Sequence, residues 1–210
     1  MKKGQNFNHP EKGKAIKADP IFLLSDIDKI VTLLKNKPRD LCLFLLGINI
    51  GLRASDLVKI KLNQVKHLKP GDELRLKERK RGKHRQMNLN TVIVDSIKNL
   101  IKYYEIYAPL NSEGYLFESS RGGHLSVPYL SRLVKKWCLS VGLKGHFSSH
   151  TLRKTFGFHL RVTFKKDLAI ISKALGHTNQ GTTIEYLCIQ PDEIRDLYKN
   201  ELGGKGGYNH

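Results

Sequence analysis

At 210 residues the chain has the length of one ordinary domain and can bury a real core. It carries 37 Lys and Arg against 19 Asp and Glu, a formal charge of +18. That surplus favours a polyanionic partner, nucleic acid above all, because neutralising phosphates releases counterions without any sequence information. A merely soluble basic protein is the bland alternative that charge alone leaves open. An anionic membrane surface is disfavoured, since no Lys-rich amphipathic helix with a strong apolar face stands out. Cys42, Cys138 and Cys188 are far apart and odd in number, which argues against a disulfide framework and against a CxxC metal site. The N-terminus lacks an apolar signal core and no apolar run approaches a membrane span, so the expectation is a cytoplasmic protein.

Residues 1–20 are polar, rich in Lys and Gly, and read as a disordered basic tail ending at Pro20. Ser25 and Asp28 have the spacing of a capping box, and Ile27, Ile30, Val31 and Leu34 follow with helical periodicity. After Pro38, residues 39–50 are apolar nearly all round, which predicts a buried helix ended by Gly51. A short helix over about 55–61 comes next. The period then changes: Leu74 and Leu76, and later Met87 and Leu89, alternate with polar residues. Between them Lys77-Glu78-Arg79-Lys80-Arg81-Gly82-Lys83-His84-Arg85 reads as a β-hairpin with a strongly basic tip.

Ile93, Ile97, Leu100, Ile101 and Tyr104 predict another helix, and Tyr115-Leu116-Phe117 a short strand. Leu130, Leu133, Val134, Trp137 and Val141 mark a further amphipathic helix. A Gly-containing loop at 142–149 precedes helical patterns at about 151–161, 167–175 and 182–188. Pro191 opens a last helix with Ile194, Leu197 and Tyr198 on its apolar side, before a Gly-rich tail at 201–210. The expected architecture is mainly α with a small antiparallel β-sheet, as one domain over residues 21–200.

Several chemically capable residues stand in a fixed order: Arg53 in Gly51-Leu52-Arg53-Ala54-Ser55-Asp56-Leu57, Lys80, His150 and Arg153 in His150-Thr151-Leu152-Arg153, His177 in Leu175-Gly176-His177-Thr178, and Tyr186. A phosphodiester under attack gathers charge on two non-bridging oxygens, and a planar guanidinium matches that geometry in bidentate fashion. Arg53 and Arg153 suit such a clamp. Tyr186 is a candidate nucleophile whose phenol, with a free pKa of about 10, needs help to lose its proton. His150, one helical turn from Arg153, is a candidate base, and His177 a candidate donor to a phosphoryl oxygen. Lys80 is the candidate acid for the leaving oxygen, with Lys77 and Lys83 as competitors. Lys77, Arg79, Arg81, Lys83, Arg85 and Lys154 are the expected DNA phosphate contacts. His146 and His150 lie at i, i+4, but no HExxH glutamate accompanies them, so no metal and no cofactor is expected. Each residue alone has a commonplace reading as a cap, a surface cation or a packing residue such as His159. The ordered set does not.

These boxes resemble the catalytic domain of the tyrosine recombinases, the phage integrase family, over about residues 22–200. Gly51 to Leu57 resembles the first arginine box, with Asp56 where an acidic residue supports that arginine. Lys80-Arg81-Gly82-Lys83-His84-Arg85 resembles the lysine hairpin, His150 to Arg153 the H-x-x-R box, and Leu175 to Thr178 with Tyr186 the box ending in the nucleophile. The resemblance implies a site-specific recombinase in which Tyr186 forms a 3′-phosphotyrosyl link to double-stranded DNA, with neither ATP nor metal. It also implies a homo-tetramer on two DNA sites joined through the helix at 191–200. A DNA-free monomer and an accessory DNA-bending protein are both compatible with it. Most members carry a helical core-binding domain ahead of the catalytic one. Only about 20 residues stand there in this chain, which resembles the short single-domain members such as fimbrial invertases and compact phage or plasmid integrases. Two other functions share these features: a type IB topoisomerase-like nicking-closing enzyme, and a non-catalytic DNA-binding protein of the same fold.

Overall fold

Helix α1 spans Leu24–Leu34 and starts one residue ahead of the expected capping box, which does not form: the N-cap is Leu23, and no side chain caps the helix. Asp26, buried in the first turn, pairs instead with Lys29 at 2.8 Å. The structure is a computed structural model that describes residues 18–77, 84–107 and 113–177 and, beyond them, 183, 184, 187, 189, 193–195, 198 and 199.

Helix α2 (Pro38–Ile50) is bracketed as its sequence demands. Pro38 occupies the first turn, where a missing N–H costs nothing, and Gly51 ends the helix at φ +54°, a conformation L side chains rarely adopt. A Cβ on Gly51 would also sit 2.2 Å from the Phe156 ring, so both backbone angle and space require glycine. The helix expected at 55–61 is shortened to one turn, α3 (Ala54–Leu57), and a second turn, α4 (Leu62–Val65), follows beyond it.

Strands β1 (Glu73–Lys77) and β2 (His84–Asn88) pair antiparallel as expected, with Leu74 opposite Met87 and Leu76 opposite Arg85. Residues 78–83, including Lys80 and the expected phosphate contacts Arg79, Arg81 and Lys83, lie outside the described residues. Helix α5 covers Thr91–Tyr107, α6 Val127–Ser140, α7 Ser149–Val162 and α8 Leu168–Leu175. The strand expected at 115–117 is reduced to isolated bridges, Lys61 to Tyr115 and Glu118 to His124. The segment still bonds on both sides: the Leu116 N–H donates to the Ile60 carbonyl at 2.8 Å, and the Phe117 carbonyl accepts the Leu125 N–H at 3.0 Å.

Helix α2 is the hub, with α5 and α7 packed along it. Gly47 makes the second contact possible, because a Cβ there would lie 2.5 Å from Leu152 Cδ1 of α7. Helix α6 closes the core through an edge-to-face contact of Trp137 with Phe44, centroids 6.0 Å apart. No described helix is long and apolar enough to cross a membrane.

The tail expected to run to residue 20 is shorter. Ala18 and Pro20 are buried, and Asp19 is bonded at both ends to His146: its N–H donates to the His146 carbonyl, and its Oδ2 accepts the His146 N–H, both at 2.8 Å. Ile21 then donates its N–H to Thr155 Oγ1 at 2.9 Å, and its carbonyl accepts from His159 Nε2 at 2.9 Å. His159 is thus a packing residue, as read from the sequence. Burial draws its pKa down, an effect opposed by the bond to Ile21. Polar composition hid this docking, which joins the burial of Ala18, Pro20 and Ile21 to hydrogen bonds with His146, Thr155 and His159.

Candidate active site

The start of α7 is fixed by a reciprocal cap. Ser148 Oγ accepts the His150 N–H at 3.3 Å while the Ser148 N–H donates to Thr151 Oγ1 at 3.1 Å. Ser131 of α6 braces the same turn through its bond to Ser149 Oγ at 3.0 Å. His150 and Arg153 therefore stand in the first turns of a helix whose N-terminal end carries partial positive charge, the end that favours a phosphate.

Arg153 is only 2 % exposed. Its Nη1 donates to the Gly51 carbonyl at 2.6 Å, and its Nη2 donates to the Leu175 carbonyl at 2.5 Å and to His177 Nε2 at 3.0 Å. Both carbonyls belong to helix C-termini, those of α2 and α8, where orphan acceptors and the negative end of the helix dipole accumulate. One guanidinium thereby gathers three of the boxes: the loop leading to Arg53, the H-x-x-R helix, and the Leu-Gly-His turn. That turn is set by Gly176 at φ +62°, with the His177 N–H donating back to the Ser172 carbonyl at 3.0 Å. Arg53 is half-buried at the N-cap of α3, two residues past Gly51, and its carbonyl accepts the N–H groups of Asp56 and Leu57, each at 2.9 Å. Asp56 is buried one turn on.

His150 is exposed as a residue, yet its pKa is drawn below the ordinary 6.5, first by desolvation and then by the positive charges of Arg153 and Lys154. A lowered value keeps the imidazole neutral, hence competent as a base, down to a lower pH than a free histidine. We expect an NMR titration of the DNA-free protein to place the His150 midpoint below 6.5. Lys154→Gln should move it upward by removing one of the repelling charges. A wild-type midpoint at or above the free value contradicts this electrostatic picture.

Two expected phosphate contacts are placed otherwise. Arg85 points inward, where it donates to the carbonyls of Ile50 at 2.9 Å, Gly51 at 3.3 Å and Ala174. It is therefore a second guanidinium tying the ends of α2 and α8, sharing the Gly51 acceptor with Arg153. The signal was in the sequence: residues 85, 87 and 89 share one strand face by the period of two, and Met87 and Leu89 are core. Lys154 is 8 % exposed on α7. Its charge is felt at His150 rather than displayed on an open surface. Lys77 alone of the described hairpin cations expected at DNA is exposed.

Tyr186 lies outside the described residues, as does most of the segment 191–200. Thr183, Ile184 and Leu187 around it are helical, in keeping with the pattern at 182–188. Burial pushes the thiols of Cys42 and Cys138 up to about 12, so neither competes as a nucleophile. Sequence reasoning missed a second basic hollow of about 410 Å³, lined by Arg39, Arg121, His124 and Arg132 with serines between them. None of Arg53, His150, Arg153 or His177 lines it. Its three arginines come from three separate segments, α2, the loop before α6 and α6 itself, a grouping that no linear motif reveals.

The fold and the boxes have known counterparts. The chain is 35% identical over 182 residues to the probable integrase/recombinase YoeC of Bacillus subtilis, covering 86% of this chain and 94% of that protein. It is 31% identical over 188 residues to the tyrosine recombinase XerC of Caldanaerobacter subterraneus, covering 87% of this chain but 52% of that longer one. Among solved structures, XerA recombinase superposes with a TM-score of 0.71 at 18% identity, over 86% of this chain and 65% of that one. XerH bound to palindromic difH substrate superposes with a TM-score of 0.73 at 21% identity, over 90% and 54% respectively. The model of the phage integrase family matches residues 22–193. With Arg153 drawing together the arginine, histidine and Leu-Gly-His boxes that the match encloses, the chain belongs to the phage integrase family.

Proposed function

We propose that this chain is a site-specific DNA recombinase that cleaves and rejoins double-stranded DNA through Tyr186, with residues 21–200 as its catalytic domain and the cytoplasm as its setting. The observation that carries the reading is the Arg153 guanidinium, buried among three boxes that lie far apart in sequence and bonded to Gly51 and His177. A structural arginine needs only the carbonyls. The histidine partner and the neighbouring Arg53 box suit a phosphate clamp.

In this mechanism the Tyr186 phenol loses its proton to His150, and its oxygen attacks phosphorus. Arg53, Arg153 and His177 stabilise the charge that develops on the non-bridging oxygens. The P–O5′ bond breaks, and Lys80 supplies the proton to the departing 5′ oxygen. The 3′-phosphotyrosyl bond conserves the energy of the broken diester, so the 5′ hydroxyl of a partner strand can reverse the step on another duplex. Two such rounds pass through a Holliday junction. The net charge of +18 and the basic hollow at Arg39, Arg121 and Arg132 supply sequence-independent hold on the backbone. The working assembly is a homo-tetramer on two sites, linked by residues 191–200, with an accessory DNA-bending protein as a further partner.

Two labelled duplexes from the protein's own genomic neighbourhood test this reading. Four-way junctions and exchanged products are expected, with DNA affinity falling steeply as salt rises. Nicking and resealing of supercoiled DNA with no junction would assign the topoisomerase-like activity instead. Binding without any cleavage would assign a non-catalytic binder.

A further inference from the structure

The hydrogen bonds of His177 do not end at Arg153. Its Nδ1 lies 2.9 Å from Thr183 Oγ1, and the Thr183 hydroxyl donates to Ser172 Oγ at 2.9 Å. Thr183 has no exposed surface and Ser172 is buried beside it. We propose that Thr183, braced by Ser172, is a positioning residue that sets the ring orientation of His177 by accepting its Nδ1 proton. The proposal rests on the recombinase reading above.

Donor and acceptor counting fixes the direction of the chain. A guanidinium has only donors, so His177 Nε2 must accept from Arg153. The ring proton then sits on Nδ1 and is donated to Thr183 Oγ1. Since Thr183 accepts there, its own hydrogen is free for Ser172. In the series Arg153, His177, Thr183, Ser172 each member thus donates to the next. The opposite tautomer would set an Nε2–H against an Arg153 N–H at 3.0 Å and leave Nδ1 without its proton.

This arrangement keeps the His177 ring neutral and the site closed, with His177 and Arg153 bonded to each other. A phosphate entering between them takes the Arg153 donor and needs an N–H from Nε2. His177 meets that need by taking one proton from solvent at Nε2, while the Nδ1–H bond to Thr183 stays as it is. The ring need not turn, and Thr183 need not change partners. Thr183 also stands three residues before Tyr186 in the chain. The same hydroxyl therefore links the histidine to the segment that carries the nucleophile.

The test uses the full chain with Thr183→Val, which keeps the shape and removes the hydroxyl, Thr183→Ser, which restores it, and Ser172→Ala. Imidazole ¹⁵N spectra of the DNA-free protein, assigned with His177→Gln, should show the proton of His177 on Nδ1 in wild type and Thr183→Ser. In Thr183→Val the proton should stay on Nδ1, held off Nε2 by Arg153, but the Nδ1 resonance should shift as its hydrogen bond is lost. Single-turnover cleavage of a nicked substrate should slow roughly ten- to a hundredfold in Thr183→Val and recover in Thr183→Ser, the size expected for one hydrogen bond to a group that becomes charged. DNA binding should be unchanged. If Thr183→Val fails to fold, Ser172→Ala takes its place, with a smaller change in the same direction. A Thr183→Val variant whose Nδ1 resonance and cleavage rate both match wild type overturns the proposal. Absence of cleavage by wild type would instead count against the recombinase reading, while the spectra still decide the proton position.

Discussion

Arg153→Ala is expected to lose cleavage and a measurable part of the fold together. The side chain is almost wholly buried and holds the ends of α2 and α8 through Gly51 and Leu175. Removing it leaves the Leu175 carbonyl without that donor, and Gly51 with only the longer bond to Arg85. One under-satisfied buried carbonyl and a cavity cost about 2–4 kcal/mol. For a chain of this size that lowers Tm by roughly 5–15 °C. Loss of a pre-organised donor to a developing oxyanion costs a further factor of roughly 10²–10³ in cleavage rate.

Arg153→Lys separates the two roles. A lysine restores charge and one bond, so part of the stability should return, but the planar fork is gone and cleavage should remain low. Arg53, only half-buried, should by contrast tolerate Arg53→Ala with a small change in melting and a comparable loss of cleavage. Matched thermal melts and single-turnover cleavage read both quantities. A variant Arg153→Ala that melts like wild type would show that the buried bonds carry little of the fold.

Local periodicity carried much of the architecture. The apolar run at 39–50 between Pro38 and Gly51, the alternation in β1 and β2, and the helices α5 to α8 are each encoded within a window of a few turns. What escaped was long-range or was masked by a louder local signal. Arg85 sits in a run of cations, and that run suggested a phosphate-binding tip. Its partnership with Leu76 across the hairpin turns it instead toward the ends of α2 and α8. Lys154 looked available because it follows Arg153, yet consecutive helix positions point about 100° apart, and here both are buried. Ser25 and Asp28 had the right spacing for a cap, but spacing says nothing about where the preceding chain docks. Ala18 to Ile21 is tied down by Thr155 and His146, partners more than 120 positions away. The candidate site residues themselves stand in the sequence as an ordered set. Their meeting through the Gly51 carbonyl, 102 positions from Arg153, is not legible there.

Tyr186→Phe is expected to have the largest effect of any single change. In the proposed mechanism the phenol oxygen is the atom that attacks phosphorus, and neither water nor a buried thiol replaces it in forming a protein–DNA bond. Deleting it should abolish the covalent intermediate while leaving DNA affinity, which rests on charge spread over the surface, nearly untouched. The decisive measurement follows from that. Wild type and Tyr186→Phe are incubated, in chelator and without added metal, with nicked duplexes from the protein's own genomic neighbourhood, resolved on a denaturing gel, and any adduct is digested and mapped by mass spectrometry. A 3′-phosphotyrosyl peptide containing Tyr186 in wild type, and none in the variant at equal DNA binding, is the expected result. An adduct that persists in Tyr186→Phe or maps to another residue, or full binding with no adduct from wild type, would contradict the assignment of this chain as a recombinase acting through Tyr186.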